Sequence, residues 1–257
     1  MGWMILTKKR NFEAFIFVVP ALLILGTFVY FPLIKNIIYS FQSFTLSSTT
    51  REWVGLANYK QLFSDKIILA CLKNNILYAV ISIIVQVGFG LVLAAVLEDT
   101  VFQKAAPFFR SVYFIPTVVS MTVVCLLFKF VYNPQMGLLN SFLQAVGLDN
   151  LTKIWLGSKK TAMYAVIAVS QWQSTGYVTM LFIVAIQKIP KDLYEAAEVD
   201  GAGKIKKFFY ITVPQVKQMF FVTMILTVVG AFTVFNEPYI LTGGGPGTAT
   251  MVLSLHT

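Results

Sequence analysis

Histidine occurs once in these 257 residues, at His256, and cysteine twice, at Cys71 and Cys125. So few of either leave no Cys/His/carboxylate cluster at metal-ligand spacing, and two cysteines cannot make a disulfide framework. Cys125 lies inside an apolar run. Both cysteines therefore read as unpaired packing residues and carry no information about redox compartment. A phosphate-binding loop is also missing. GAGK at 201–204 is the nearest approach, but such a loop needs Ser or Thr after its lysine and a glycine five residues before its second glycine. Ile205 and Glu198 stand in those places. The run GGGPG at 243–247 has no lysine after it and reads as a turn. A catalytic function has no residues of this chain to rest on.

Charge is scarce and unequal. Only 12% of residues are charged, and 20 Lys/Arg against 11 Asp/Glu leave a net charge of +9. A basic excess alone would suit nucleic acid. With 57% hydrophobic residues, 23 Phe and a mean hydropathy of +0.75, the chain is too apolar for a soluble domain of this length. In such a chain basic residues mark the places where loops meet the anionic inner membrane surface. The expected partner is membrane lipid, with no nucleic acid. No low-complexity linker or short-period repeat divides the sequence, so a single domain is expected.

What the chain does have is long apolar runs. Five are long enough to cross the hydrocarbon core, which takes about 20 residues of helix. They cover roughly 12–40, 76–97, 111–132, 162–189 and 216–241. Each must be helical, because no open backbone can go unsatisfied in lipid. Pro20, Pro32 and Pro116 interrupt them, and Gly88 and Gly90 would let neighbouring helices approach closely. Lys8, Lys9 and Arg10 precede the first run, which is longer than a signal-peptide core and has no evident A-x-A cleavage site. It is expected to be a retained span behind a cytoplasmic tail, residues 1–11. That orientation puts eleven Lys/Arg on the inner side, against seven in the outer loops. Five spans would place the C-terminus outside, at an ending, TATMVLSLHT, that looks cut short.

One stretch breaks the rule of scarcity. EAAEVDGAGKIKKFFYITVP, residues 195–214, concentrates charge between two apolar runs. Pro190 suits the first turn of a helix, and Asp192 and Glu195 fall where the positive end of the helix dipole favours carboxylates. Gly201 and Gly203 stop that helix, Lys204 to Tyr210 start another, and Pro214 marks a bend into the next span. Composition alone would suit an ordinary solvated loop. A compact charged helix, a tight turn and an exposed Phe208–Phe209 pair suit docking into a partner better.

The spacing of Glu195-Ala196-Ala197, Asp200-Gly201-Ala202, Phe208-Phe209, Ile211 and Pro214 closely resembles the EAA loop of binding-protein-dependent ABC importer permeases. Val213 stands where that family usually has Leu. The DGA continuation is similar to the sugar-importing branch, especially the larger maltose-type subunits. WVGLANYKQLF at 53–63, FRSVYFIP at 109–116, AIQKIPKDLYEAA ending the fourth run and LTGGGPGTAT at 241–250 resemble the same family in the same order. The resemblance covers nearly the whole chain. It implies an all-α polytopic helical bundle whose transmembrane domain is residues 12–257, with a sixth span expected beyond Thr257.

It also implies a location in a bacterial or archaeal cell (inner) membrane. The implied partners are a second permease subunit forming a heterodimer, two ATPase subunits and an extracytoplasmic sugar-binding protein. ATP and Mg would be bound by the ATPase subunits, and no cofactor by this chain. Residues 190–214 would be the coupling loop, with Glu195, Ala196, Ala197, Asp200, Gly201, Ala202, Phe208 and Phe209 as its contacts. The other readings are a permease of this type for another polar solute, such as a sugar phosphate or an amino acid, and a secondary transporter. The latter should need a mid-membrane ionisable relay, of which Glu237 is the lone candidate.

Polar residues within spans are candidates for the cargo pathway. Ser170, Gln173, Ser174 and Tyr177 recur at helical spacing in the fourth run, and Asn236, Glu237 and Tyr239 cluster in the fifth. Tyr177 is suited to stacking on a sugar ring, and Gln173 offers both a donor and an acceptor. Each serves equally well as interhelical glue. Gln86 stands alone in the second run and reads as glue.

Overall fold

The computed structural model describes residues 15–44, 51–99, 102 and 105–256, so the basic cluster before the first run and the tail 1–11 lie outside the described residues. The described chain is mostly helical and divides into two units between Asp65 and Lys66.

The first unit is built on α1 (Phe15–Tyr39), 25 residues whose most apolar 18-residue stretch has a mean hydropathy of 2.3. Its winding widens to a π turn over Gly26–Tyr30, two residues before Pro32. Proline offers no N–H and its ring collides with the carbonyl four residues back; a wider turn absorbs both faults. After α1, β1 (Gln42–Ser43) pairs antiparallel with β2 (Glu52–Trp53), Gln42 opposite Trp53. The Asn58 amide donates to the carbonyls of Ser40 and Gln42 at 2.9 and 3.0 Å, which ties α2 (Ala57–Ser64) to β1. Arg51 rests over the Tyr39 ring, 4.4 Å from its centre.

The second unit opens with α3 (Lys66–Glu98), 33 residues whose most apolar 18-residue stretch has a mean hydropathy of 2.6. It starts at Lys66 rather than near residue 76, because Lys73, Asn74 and Asn75 interrupt the apolar run without interrupting the helix. The expected run 111–132 is two helices, α4 (Ala106–Val118) and α5 (Met121–Val131), bent by 100° at Val119–Ser120. A short helix, α6 (Leu138–Ala145), follows. Asn140 organises the loop beyond it, donating to the carbonyls of Pro134 and Lys153 and accepting from the Trp155 indole at 2.8 Å. Next comes α7 (Ala162–Ile186), 25 residues long and the most buried helix described.

The chain then forms α8 (Lys191–Val199) and α9 (Lys204–Gln215), and turns by 71° into α10 (Lys217–Thr233). In α9 a π turn, Phe208–Thr212, again stands two residues before a proline, Pro214. The expected run 216–241 is broken at Val234–Phe235, after which α11 (Asn236–Thr242) ends at Gly243 with a φ of 61°. The GGGPG stretch is a turn. From it the chain folds back, buries Val252 and begins α12 (Leu253–His256).

By length and composition, α1 and α3 are apolar enough to cross a membrane, and the bent pairs α4–α5 and α9–α10 bring the number to four among the described residues. α7 is long enough, but the polar stretch Ser170–Tyr177 keeps it out of that set. Its burial explains how it can afford such a centre. Val178, Phe182 and Ile183 of α7 pack with Val87 and Leu91 of α3; Met163 and Ile167 pack with Tyr78 and Ala231; Val166 and Val169 pack with Val124 and Leu241. One helix thus shares in all three clusters of the core. α1 exposes Phe, Leu, Ile and Val with none of its described residues buried, and α3, α4 and α10 each carry exposed large apolar side chains, as lipid-facing helices do.

Candidate functional site

Two features of the second unit combine polar chemistry with an apolar surround. The first is a cavity of about 380 Å³ bounded by α3, α7, α10 and α11. Its size lies near the lower end of ligand pockets, roughly 300–1,000 Å³. From α7 it is lined by Ser170, Ser174 and Tyr177, and from the α10–α11 break by Phe235, Asn236 and Glu237. Tyr177 is 45% exposed, enough to offer its ring face to a guest. Glu237 is buried, and the Tyr78 hydroxyl donates to its Oε1 at 3.1 Å.

Two expected lining residues sit elsewhere. Gln173 points to the neighbouring break: its Nε2 donates to the Val119 carbonyl at 2.7 Å, and its backbone carbonyl accepts from the Thr117 hydroxyl at 2.8 Å. The 100° bend frees the Val119 carbonyl from helical pairing, and a buried carbonyl needs a donor. Gln173 supplies it and is glue at this position. Tyr239 lies outside the cavity and stacks on Phe235, with ring centres 5.1 Å apart; it backs the aromatic that does face in.

The cavity also has a wall that the sequence reading passed over. Tyr78, Ser82 and Gln86 of α3 all line it, so Gln86 is no isolated polar residue but one of three at successive i, i+4 steps. That spacing was legible. Thr223 and Thr227 of α10 repeat it across the cavity. Below Tyr78, Asn75 is fully buried: it donates to the Ala231 carbonyl at 2.7 Å and accepts from the Leu253 N–H at 3.0 Å. Asn74 donates to the carbonyls of Thr248 and Met251. The two asparagines hold the folded-back segment against α3.

The second feature is the charged loop. Pro190 precedes α8 and accepts from the Leu193 N–H, and Asp192 lies in the first turn. The helix ends in a Schellman pattern: Ala202 N–H bonds the Ala197 carbonyl at 2.8 Å, Gly201 N–H bonds Glu198, and Gly201 takes a φ of 73°. Glycine is needed there for its backbone alone, since a Cβ would meet open space.

Inside the loop Tyr194, Phe208, Ile211 and Val213 pack against the core, and the Tyr194 and Thr212 hydroxyls bond at 2.9 Å. Phe208 is therefore an anchor, not an exposed contact as the sequence suggested. The outward surface presents Glu195, Ala196, Asp200, Val199, Phe209 and Tyr210, with Val199 89% and Tyr210 81% exposed. Ala197 and Ala202 are half-buried at its edge.

Not all the loop's charge faces outward. Lys207 pairs with Glu198, and Lys204 reaches Asp99 at the end of α3 at 2.9 Å. Beside that pair, Glu98 accepts from Arg110 of α4 and from Gln187, the residue after α7. The loop is thus clasped to α3, whose end is tied in turn to α4 and α7. No cluster of His, Cys, Asp or Glu able to hold a metal ion occurs among the described residues.

A half-open cavity with polar groups set in an apolar wall beside broken helices, and a clasped two-helix loop at another part of the bundle, can now be set beside known proteins. A family model described as "Binding-protein-dependent transport system inner membrane component" matches residues 67–256. The chain belongs to that family. This ABC transporter permease is 60% identical to the probable ABC transporter permease protein YurN of Bacillus subtilis, over 97% of its own length and 85% of the relative's. It is 30% identical to the trehalose/maltose transport system permease protein MalF of Thermococcus litoralis, over 97% and 85%. The fold matches a chain in the crystal structure of a bacterial alginate ABC transporter bound to its alginate pentasaccharide-loaded periplasmic protein, with a TM-score of 0.81 at 22% identity. That match covers 96% of the permease and 82% of the solved chain. The permease is an all-α integral membrane protein of the importer type, part of a binding-protein-dependent system.

Proposed function

We propose that this permease forms half of a translocation pathway for a carbohydrate handed over by an extracytoplasmic binding protein. The cavity carries the reading. Its hydroxyls and amides (Ser170, Ser174, Gln86, Asn236) can exchange hydrogen bonds with sugar hydroxyls, and Tyr177 and Phe235 offer ring faces. The relatives named for trehalose/maltose and lactose transport support the same class of cargo. The other half of the pathway would come from a second permease subunit, and the N-terminus would be cytoplasmic with the chain passing the membrane several times.

The coupling reading rests on the loop 190–214. Its apolar inner side is anchored, while Glu195, Val199, Phe209 and Tyr210 face outward as a mixed charged and apolar surface suited to a protein partner. That partner is an ATPase subunit, which binds ATP and Mg; this chain performs no hydrolysis. Closure of the ATPases would move α8 and α9 as one body, and the Lys204–Asp99 pair would pass part of that movement to α3.

Reconstituted complexes test the cargo reading. Ser174→Trp fills the cavity from a half-buried position and should abolish uptake of labelled neutral oligosaccharides supplied by the binding protein, with all subunits still copurifying. Parental uptake by an assembled Ser174→Trp complex would refute it.

A further inference from the structure

Among the described residues no Lys or Arg lines the cavity, while one carboxyl, Glu237, does. Lys129 sits on α5, the helix packed against α11, and is not part of the lining either. Around Glu237 the wall supplies hydroxyls and amides: Tyr78 donates to the carboxyl, and Ser170 stands against both groups. An anion brought into such a site would lose its water, find no cation among the described residues of the wall to replace it, and meet a carboxyl across the cavity. A hydroxyl finds donors and acceptors throughout. An ammonium finds Glu237 itself.

We infer that this site passes uncharged or cationic cargo and rejects anionic cargo, and that Glu237 is the residue that sets the rule. The inference rests on the cavity being the cargo site, and narrows that reading: it separates neutral and amino sugars from sugar phosphates and uronates. One solved relative is titled for the import of the acidic polysaccharide alginate, so the rule is argued from this chain's own cavity.

The binding protein would impose its own selectivity, so the test leaves it out. Complexes of permease and ATPase subunits in lipid nanodiscs are equilibrated with three labelled disaccharides of equal size. One is neutral, one carries a uronate carboxylate, and one carries a 2-amino group. The parent should bind the amino sugar more tightly than the neutral one, and the uronate more weakly by roughly tenfold or more.

In Glu237→Gln the amide oxygen still accepts from Tyr78 but the acid group is gone. The ratio of uronate to neutral affinity should then approach one, and the preference for the amino sugar should vanish. Tyr78→Phe breaks the same bond and keeps the carboxyl, so it should retain the parent's charge order. Binding of neutral sugar and uronate alike by the parent would overturn the inference and leave the cargo reading standing. So would an unchanged order in Glu237→Gln, or a Tyr78→Phe profile matching that of Glu237→Gln, which would make the effect one of shape. Failure of all three sugars to bind the parent would overturn both.

Discussion

Gln173 and Tyr177 lie one helical turn apart on α7, and the structure gives them opposite duties. Gln173 bonds the Val119 carbonyl, which the 100° bend between α4 and α5 leaves without a helical donor. Replacing it with Leu keeps most of the volume and strands that carbonyl in an apolar surround, at a cost of about 1–3 kcal/mol. For a unit of this size 1 kcal/mol moves the melting temperature by about 2–4 °C, so the complex should melt roughly 2–12 °C lower. Its KM for the sugar should not move. Tyr177 is half-open to the cavity and holds nothing together, so Tyr177→Ala should do the reverse, raising KM with little change in melting temperature. Thermal melting of purified complexes, read alongside transport kinetics in proteoliposomes, separates the two. A Gln173→Leu complex that melts with the parent but shows a raised KM would mean that the amide serves cargo, and the reasoning from the Val119 carbonyl would be wrong.

Gly201 takes a positive φ with open space around its missing side chain, so the penalty of substitution lies in the backbone. Gly201→Val should weaken the turn by about 1–2 kcal/mol and lower transport-linked ATP hydrolysis, while Gly201→Asn should be nearly tolerated; equal coupling in the two variants would contradict this. Glu195 is exposed with no ion pair among the described residues, so Glu195→Lys should leave the chain inserted and folded but release the ATPase subunits on copurification. Retention of the ATPase with parental coupling would remove Glu195 from the contact.

The class of this protein was legible without coordinates. Apolar runs of membrane length, the absence of any residue set for catalysis, and the charged EAA stretch with its glycine stop are properties of local sequence, and the helix, turn and bend of 190–214 fall where the residues indicate. Proline and glycine act within a turn or two, so their effects can be read in order along the chain.

What required the tertiary structure was every question of facing. Ser170, Gln173, Ser174 and Tyr177 share one helical stripe, yet the break at Val119 claims Gln173 and the cavity claims the other three. Phe208 and Phe209 are adjacent, but only the second remains exposed once α9 lies on the core. Tyr78, Ser82 and Gln86 became a wall because α10 and α11 stand opposite them, and Lys204 became a clasp because Asp99 is brought within 2.9 Å from 105 residues away. A helical period tells which residues point the same way. It does not tell what they point at, because that depends on which other helix leaves a carbonyl, a charge or an empty space in front of them.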